Sequence, residues 1–132
     1  MPSMTAIVLA DRETTPVNHT FTPSGIKDGV ARFLNTATGV PVGFETLTSS
    51  MRQTGKRIKI KQVLQVPIIQ TVTVNGVSSP VVVRSGFAET VFTFDETSTV
   101  QERKNLVGMQ YASLGASQAM LNDLFTNLSP LY

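Results

Sequence analysis

Up to about residue 94 the chain alternates short β-branched and aromatic runs with turn signals, and no 3.6-residue periodicity lasts long enough for a helix. This pattern predicts strands over 5–11, 17–22, 30–35, 44–54, 57–67, 69–75 and 80–94. Val74-Asn75-Gly76-Val77 is the clearest connection, because Asn-Gly supplies the positive φ angles of a two-residue hairpin. Gly55 separates the fourth and fifth strands, and Pro23, Gly25, Pro41 and Gly43 punctuate the others. Beyond Asp95 the pattern changes. Ser98 and Thr99, followed three residues later by Gln101 and Glu102, form a capping-box signature, so a helix begins near 98 and ends near Leu114-Gly115. A second helix carries Met120, Leu121, Leu124, Phe125 and Leu128 on one face, with Pro130 past its end. The pattern therefore describes an α+β chain: antiparallel strands over about 5–95, then two amphipathic helices over about 98–128, in a single domain spanning 1–132.

Alternation within the strands assigns their faces. In 57–66, Ile58, Ile60, Leu64 and Val66 point one way with Gln62, and Arg57, Lys59, Lys61, Val63 and Gln65 point the other. The polar parity of the preceding strand is Thr46, Thr48, Ser50, Arg52 and Thr54. In 87–94, Ala88, Thr90, Phe92 and Phe94 form the packing parity, leaving Phe87, Glu89, Val91 and Thr93 with the polar set. One face of the sheet suits the helices, and the other suits a hydrophilic partner.

Charge sharpens this division. No acidic residue lies between Glu45 and Glu89, whereas Arg52, Lys56, Arg57, Lys59, Lys61 and Arg84 all do, giving +6 over 46–88 in a chain of net charge +2. The remainder, with Arg12, Lys27, Arg32, Arg103 and Lys104 against nine acids, carries −4. Two readings of the basic parity stand at this point. It is either a solvated sheet face with cations that blunt strand edges, or a surface that neutralises phosphates. The absence of interspersed acids, the Ser and Thr hydroxyls on the neighbouring strand and the aromatic Phe87 favour the second. Cations for phosphates, hydroxyls for base edges and a ring for stacking are the parts of a single-stranded RNA site.

Composition excludes most other chemistry. With 41% hydrophobic and 15% charged residues, the 132-residue chain is an ordinary folded domain and not a disordered basic tail. It has no cysteine, so disulfides, thiol nucleophiles and Cys-based metal sites are absent. His19 is the sole histidine and reads as an ordinary surface or strand residue. Gly-rich phosphate loops, HExxH and EF-hand patterns are missing, so no catalytic residue, cofactor or metal is expected and the protein is not read as an enzyme. The apolar run Thr5 to Ala10 has six residues and no preceding base, which fits neither a signal peptide nor a membrane span. Without a secretion signal the sequon Asn18-His19-Thr20 carries no meaning. An open antiparallel sheet leaves unpaired edges, and two short helices give it little cover; a homodimer joined edge to edge answers both.

Several strings, in this order and spacing, resemble the coat proteins of the leviviruses, small single-stranded RNA bacteriophages. They are Leu9-Ala10-Asp11-Arg12-Glu13, Gly39-Val40-Pro41-Val42-Gly43, Ser50-Met51-Arg52-Gln53, Val66-Pro67, the run Gln70 to Val83 with Pro80-Val81-Val82-Val83-Arg84 at its end, Glu102-Arg103-Lys104-Asn105 and Leu128-Ser129-Pro130-Leu131-Tyr132. The likeness runs from about residue 7 to the C-terminus. It implies an N-terminal β-hairpin, a five-stranded antiparallel sheet and two C-terminal helices that cross onto a partner subunit. The dimer would share a ten-stranded sheet and assemble, in the bacterial host cytoplasm, into an icosahedral virion shell around single-stranded viral RNA with no membrane. The alternative is a cellular β-sheet RNA-binding homodimer that forms no shell.

The resemblance also implies that the protein binds an RNA hairpin and represses translation. Val30, Thr48, Ser50, Lys61 and Val63 would form an adenine pocket, with Arg52, Lys59 and Gln65 along the same face, to which the strand parity adds Arg57 as a further RNA-binding cation. Phe87 falls where some relatives stack a base on tyrosine, and Glu89 lies two residues on. Val63 stands where well-studied relatives have lysine, and Lys61 where they have threonine, so a charge has moved by one pleat. The segment of about 70–80, with Thr73, Asn75, Gly76 and Pro80, would be the loop that changes conformation at symmetry axes. Some relatives staple that loop with disulfides, which this chain cannot do, so its particles would be held by non-covalent contacts alone.

Overall fold

A computed structural model describes residues 2–132 as six strands, a short 3-10 turn and two helices. The strands are β1 (Ile7–Ala10), β2 (Asn18–Lys27), β3 (Val30–Asn35), β4 (Glu45–Thr54), β5 (Arg57–Val74) and β6 (Val77–Asp95). They form one sheet in the order β1-β2-β3-β4-β5-β6, so each strand neighbours the one before it in sequence. The helices are α1 (Val100–Ser113) and α2 (Ala119–Thr126). The chain divides into two compact units. One runs to Thr54 and includes Ile58–Thr93; the other comprises Gly55–Arg57 and Phe94–Tyr132.

Turn chemistry accounts for the meander. Asp28-Gly29, with φ of 53° and 78°, turns β2 into β3, and Asn75-Gly76, also at 53° and 78°, turns β5 into β6. Both pairs have the two positive φ angles of the primed turn whose twist matches flanking strands. Pro41–Gly43 forms the 3-10 turn before β4. There a Cβ on Gly43 would lie 3.0 Å from Ile69 Cδ1 and 3.1 Å from Thr38 Oγ1, so the lack of a side chain lets this turn approach β5 without displacing either.

The first unit is organised around Phe21, Phe33 and Leu47, at 2%, 7% and 3% exposure, with Met4, Ile7, Ala31 and Leu64 packed against them. Register brings them together: Ile7 faces Phe21 across β1 and β2, and Phe33 faces Leu47 across β3 and β4. Fully burying each such side chain contributes roughly 1.5–3 kcal/mol.

In the second unit, Thr99 caps α1. Its side chain accepts from the Glu102 N–H at 3.2 Å, while the Glu102 carboxylate accepts from the Thr99 N–H at 2.9 Å. Asp95 accepts from the N–H and the hydroxyl of Thr97 at 2.9 and 2.6 Å, fixing the approach to the helix. Neither helix contains a buried residue.

The fold class is as expected, and five details differ. The strands expected over 57–67 and 69–75 are one strand, β5, which gives six strands instead of a hairpin plus five. A ten-residue β4 turning at Gly55-Lys56 runs out of backbone near Val66, so Pro67 falls where its missing N–H costs no β4 bond. Next, β2 continues past 22 to Lys27, carried through Pro23 and Gly25 by a register shift between them. β6 begins at Val77 instead of 80, because the two-residue turn restarts pairing at once. Finally, α2 ends before Leu128, which adopts φ of 55° ahead of Pro130, and the apolar residues of α1 are spread around it instead of along one face.

Candidate nucleic-acid interface

The β3–β4 register assembles the polar face from the bottom up. Val30 lies opposite Ser50, Arg32 opposite Thr48 and Leu34 opposite Thr46, while the intervening pair Phe33 and Leu47 is buried on the other face. Cross-strand partners share a face and alternate along the strand, so Val30, Thr48, Ser50 and Arg52 stand together on the side opposite the core. On β5, Leu64 packs against the core, which leaves Lys59, Lys61, Val63 and Gln65 on the polar side. Lys59 and Lys61 are exposed; Val63 and Gln65 are half-buried.

On β6, a contact fixes the parity. Lys61 Nζ lies 2.8 Å from Glu89 Oε1, which places Glu89 beside the β5 cations. Phe87, two residues earlier, shares that parity and is 69% exposed, whereas Phe94 on the alternate parity is buried. The acid-free stretch is thus acid-free in sequence and not in space. The carboxylate just past its end folds back onto one of its lysines.

Arg57, at the start of β5, follows the parity of Lys59 and Lys61 in sequence. It belongs to the second unit, where its charge acts on Asp95; the Thr97 hydroxyl and N–H, with a smaller effect of Arg57, hold the Asp95 carboxyl below its ordinary value. The expected loop of about 70–80 is a continuous hairpin. Thr73 Oγ1 and Ser78 Oγ lie 3.0 Å apart across it, Asn75 and Gly76 form its tip and Pro80 lies within β6.

Two cations on the polar face fall outside the sequence assignment. Arg32 lies opposite Thr48, and Lys27 lies opposite Val30. Both precede the acid-free stretch, so charge spacing along the chain does not single them out. Asp28-Gly29, an Asx-Gly pair like Asn75-Gly76, is the local signal that carries β2 on to Lys27 and sets Lys27 on this face.

On the opposite face a groove of about 490 Å³ contains a polar cluster among apolar walls that include Phe21, Leu64 and Val66. His19 Nδ1 lies 2.7 Å from Glu45 Oε1, and His19 Nε2 lies 2.8 Å from Asp11 Oδ2. Asn35 Nδ2 donates to the same Glu45 oxygen at 2.6 Å, and Asp11 Oδ1 accepts from the N–H groups of Val17 and Glu13 at 2.9 and 3.2 Å. The Asp11 and Glu45 carboxylates raise the His19 pKa, while the Val17 N–H and then His19 lower that of Asp11. His19 is therefore a strand histidine with two charged partners. Its ring nitrogens are both engaged, and no group of residues able to hold a metal exists among the described residues.

Such a fold defines an α+β protein with an antiparallel sheet, apolar on one face and basic and hydroxyl-rich on the other. Residues 2–132 match the family described as levivirus coat protein. The chain is 42% identical over 127 residues to the capsid protein of Pseudomonas phage PRR1, covering 96% of each chain. It is 35% identical over 115 residues to the capsid protein of Qbeta virus (strain MX1), covering 83% of each. Its fold matches a chain of the virus-like particle of bacteriophage ESE058 with a TM-score of 0.89 at 26% identity, covering 99% of this chain and 100% of that one. The chain belongs to the levivirus coat protein family.

Proposed function

We propose that this coat protein forms homodimers that self-assemble into a closed icosahedral shell around single-stranded RNA, with the polar sheet face turned toward the RNA. The observation that carries this reading is the segregation of the sheet. The register collects Val30, Thr48, Ser50 and Arg52 on one side, β5 adds Lys59, Lys61, Val63 and Gln65, and β6 adds Phe87 and Glu89, all opposite the buried Phe21, Phe33 and Leu47. Cations take phosphates, the half-buried Thr48 and Ser50 offer hydroxyls to a base inserted beside Val30 and Val63, and exposed Phe87 offers a stacking surface. A pocket of that kind suits an unpaired adenine of an RNA hairpin, through which the protein acts as a translational repressor.

Dimerisation is supported by surface that the single chain leaves open. Neither helix has a buried residue, and Leu106, Val107, Met109, Met120 and Phe125 are 41–65% exposed. Apolar residues at this density on short helices need a partner surface. The hairpin tip is likewise open, with Val74 and Val77 at 61% and 67% exposure on either side of Asn75-Gly76, as suits a contact between dimers. The virus-like particle matched by the fold is a precedent for assembly. The family match to coat proteins supports a structural role.

Size-exclusion chromatography with electron microscopy of the purified full-length protein tests this reading. Closed particles of uniform size containing nuclease-protected RNA are expected. A dimer that binds RNA but never forms a shell would point to an RNA-binding module instead.

A further inference from the structure

The polar face extends one strand further than the residues so far assigned to RNA. β2 pairs with β3 so that Lys27 lies opposite Val30 and Gly25 opposite Arg32. Continued through β3 and β4, these pairings give two rows across the sheet, Lys27-Val30-Ser50 and Gly25-Arg32-Thr48. Strands stand about 4.8 Å apart and alternate residues about 6.6 Å apart, so both cations border the candidate base pocket directly.

Their surroundings leave them available. Lys27 and Arg32 are exposed, and no ion pair among the described residues involves either. Asp28 lies at the adjoining turn but is not paired with Lys27. Gly25 has no side chain, and a Cβ built there would meet nothing within 4 Å, so the space beside Arg32 is open. Lys61 by contrast is already held by Glu89 and must exchange that partner to take a phosphate.

We propose that Lys27 and Arg32 form a second phosphate-contacting patch on the β2–β3 hairpin, which holds the RNA backbone flanking the base bound beside Val30, Thr48 and Ser50. The inference rests on the RNA-facing role of the sheet. Arg32, with its planar fork of donors, takes two phosphate oxygens, and Lys27 acts as a point charge. Because phosphate contacts carry no sequence information, the patch adds affinity and register without selecting a base.

The test measures binding of an oligouridine single strand to the full-length protein, freed of co-purified RNA, across a salt titration. Arg32→Gln, Lys27→Gln and the double variant are compared with Lys59→Gln on the assigned face and Lys104→Gln on α1. Each single change should weaken binding and flatten the log–log salt slope by about 0.7, and the double variant by about 1.4. Arg32→Lys should keep the slope while weakening binding, and Lys104→Gln should leave both unchanged. If Lys59→Gln flattens the slope while the Lys27 and Arg32 variants match wild type, the patch is refuted and the RNA-facing sheet stands. If no variant changes the slope, the RNA-facing reading fails with it. Equal flattening by Lys104→Gln would reduce the effect to net charge, and lost assembly with an unchanged slope would make the patch a protein contact; either result overturns the proposal. Should Arg32→Gln fail to fold, Arg32→Lys and Lys27→Gln decide the question.

Discussion

The Nδ1 atom of His19 lies 2.7 Å from Oε1 of Glu45, and the other ring nitrogen lies 2.8 Å from Asp11 Oδ2. One imidazole ring thus ties the segment after β1 and the start of β4 to β2. Hydrogen bonds that the ring donates to the Asp11 and Glu45 carboxylates raise the His19 pKa above its ordinary 6.5. Since the folded value is the higher, the His19 contribution to stability is complete below the ordinary value and is lost as pH rises through the folded one. Asp11 has the opposite sign: its pKa lies below 3.8, so its contribution is present above that value and is lost as pH falls through the folded one. Thermal melting across pH should therefore show greatest stability between these two limits. His19→Gln should remove the fall on the alkaline side, and an unchanged alkaline limb would exclude His19 as its source.

The Lys61 and Glu89 side chains are 49% and 55% exposed, and a pair this open contributes about 0–1 kcal/mol to stability. Its importance lies in availability. Glu89→Gln should scarcely change melting but should strengthen binding of an oligouridine single strand by releasing Lys61. Lys61→Ala should flatten the salt slope by about 0.7. Weaker binding of the Glu89 variant would mean that the carboxylate itself contacts RNA.

Phe87 is 69% exposed, so truncating it removes little packing from the single chain. Phe87→Ala should cost roughly 1–3 kcal/mol in RNA affinity if a base stacks on the ring. Melting separates the alternatives, because a ring packed in the dimer would lower stability while the surviving dimers bind RNA normally.

Gly43 is needed for close approach and not for an unusual φ. A Cβ there would lie 3.0 and 3.3 Å from two Ile69 carbons. Gly43→Ala should destabilise the fold by about 1–3 kcal/mol through overpacking. Pairing it with Ile69→Val, which removes one of those carbons, should recover part of the loss in denaturant titration.

Much of this architecture is legible in local sequence. Asn75-Gly76 sets its hairpin through backbone preference, Thr99 and Glu102 set the start of α1 through reciprocal hydrogen bonds, and the 57–66 alternation assigns the faces of β5. What escapes depends on pairing. Pro67 looks like a strand break until the length of β4 shows that no β4 donor is needed there. Lys27 and Arg32 join the polar face only through their partners on β3 and β4, and Glu89 reaches Lys61 across a hairpin 28 residues long in sequence separation. The charge pattern located the basic strands, but one-dimensional spacing could not show which cation is paired and which is open.

The claim that the β3–β6 polar face meets the RNA is tested most directly by ultraviolet cross-linking of RNA within assembled particles, followed by mass spectrometry of the linked peptides. Cross-links should concentrate on β4, β5 and β6 peptides containing Arg52, Lys59, Lys61 and Phe87. Cross-links confined to α1 and α2, at residues such as Lys104 and Tyr111, would contradict the account.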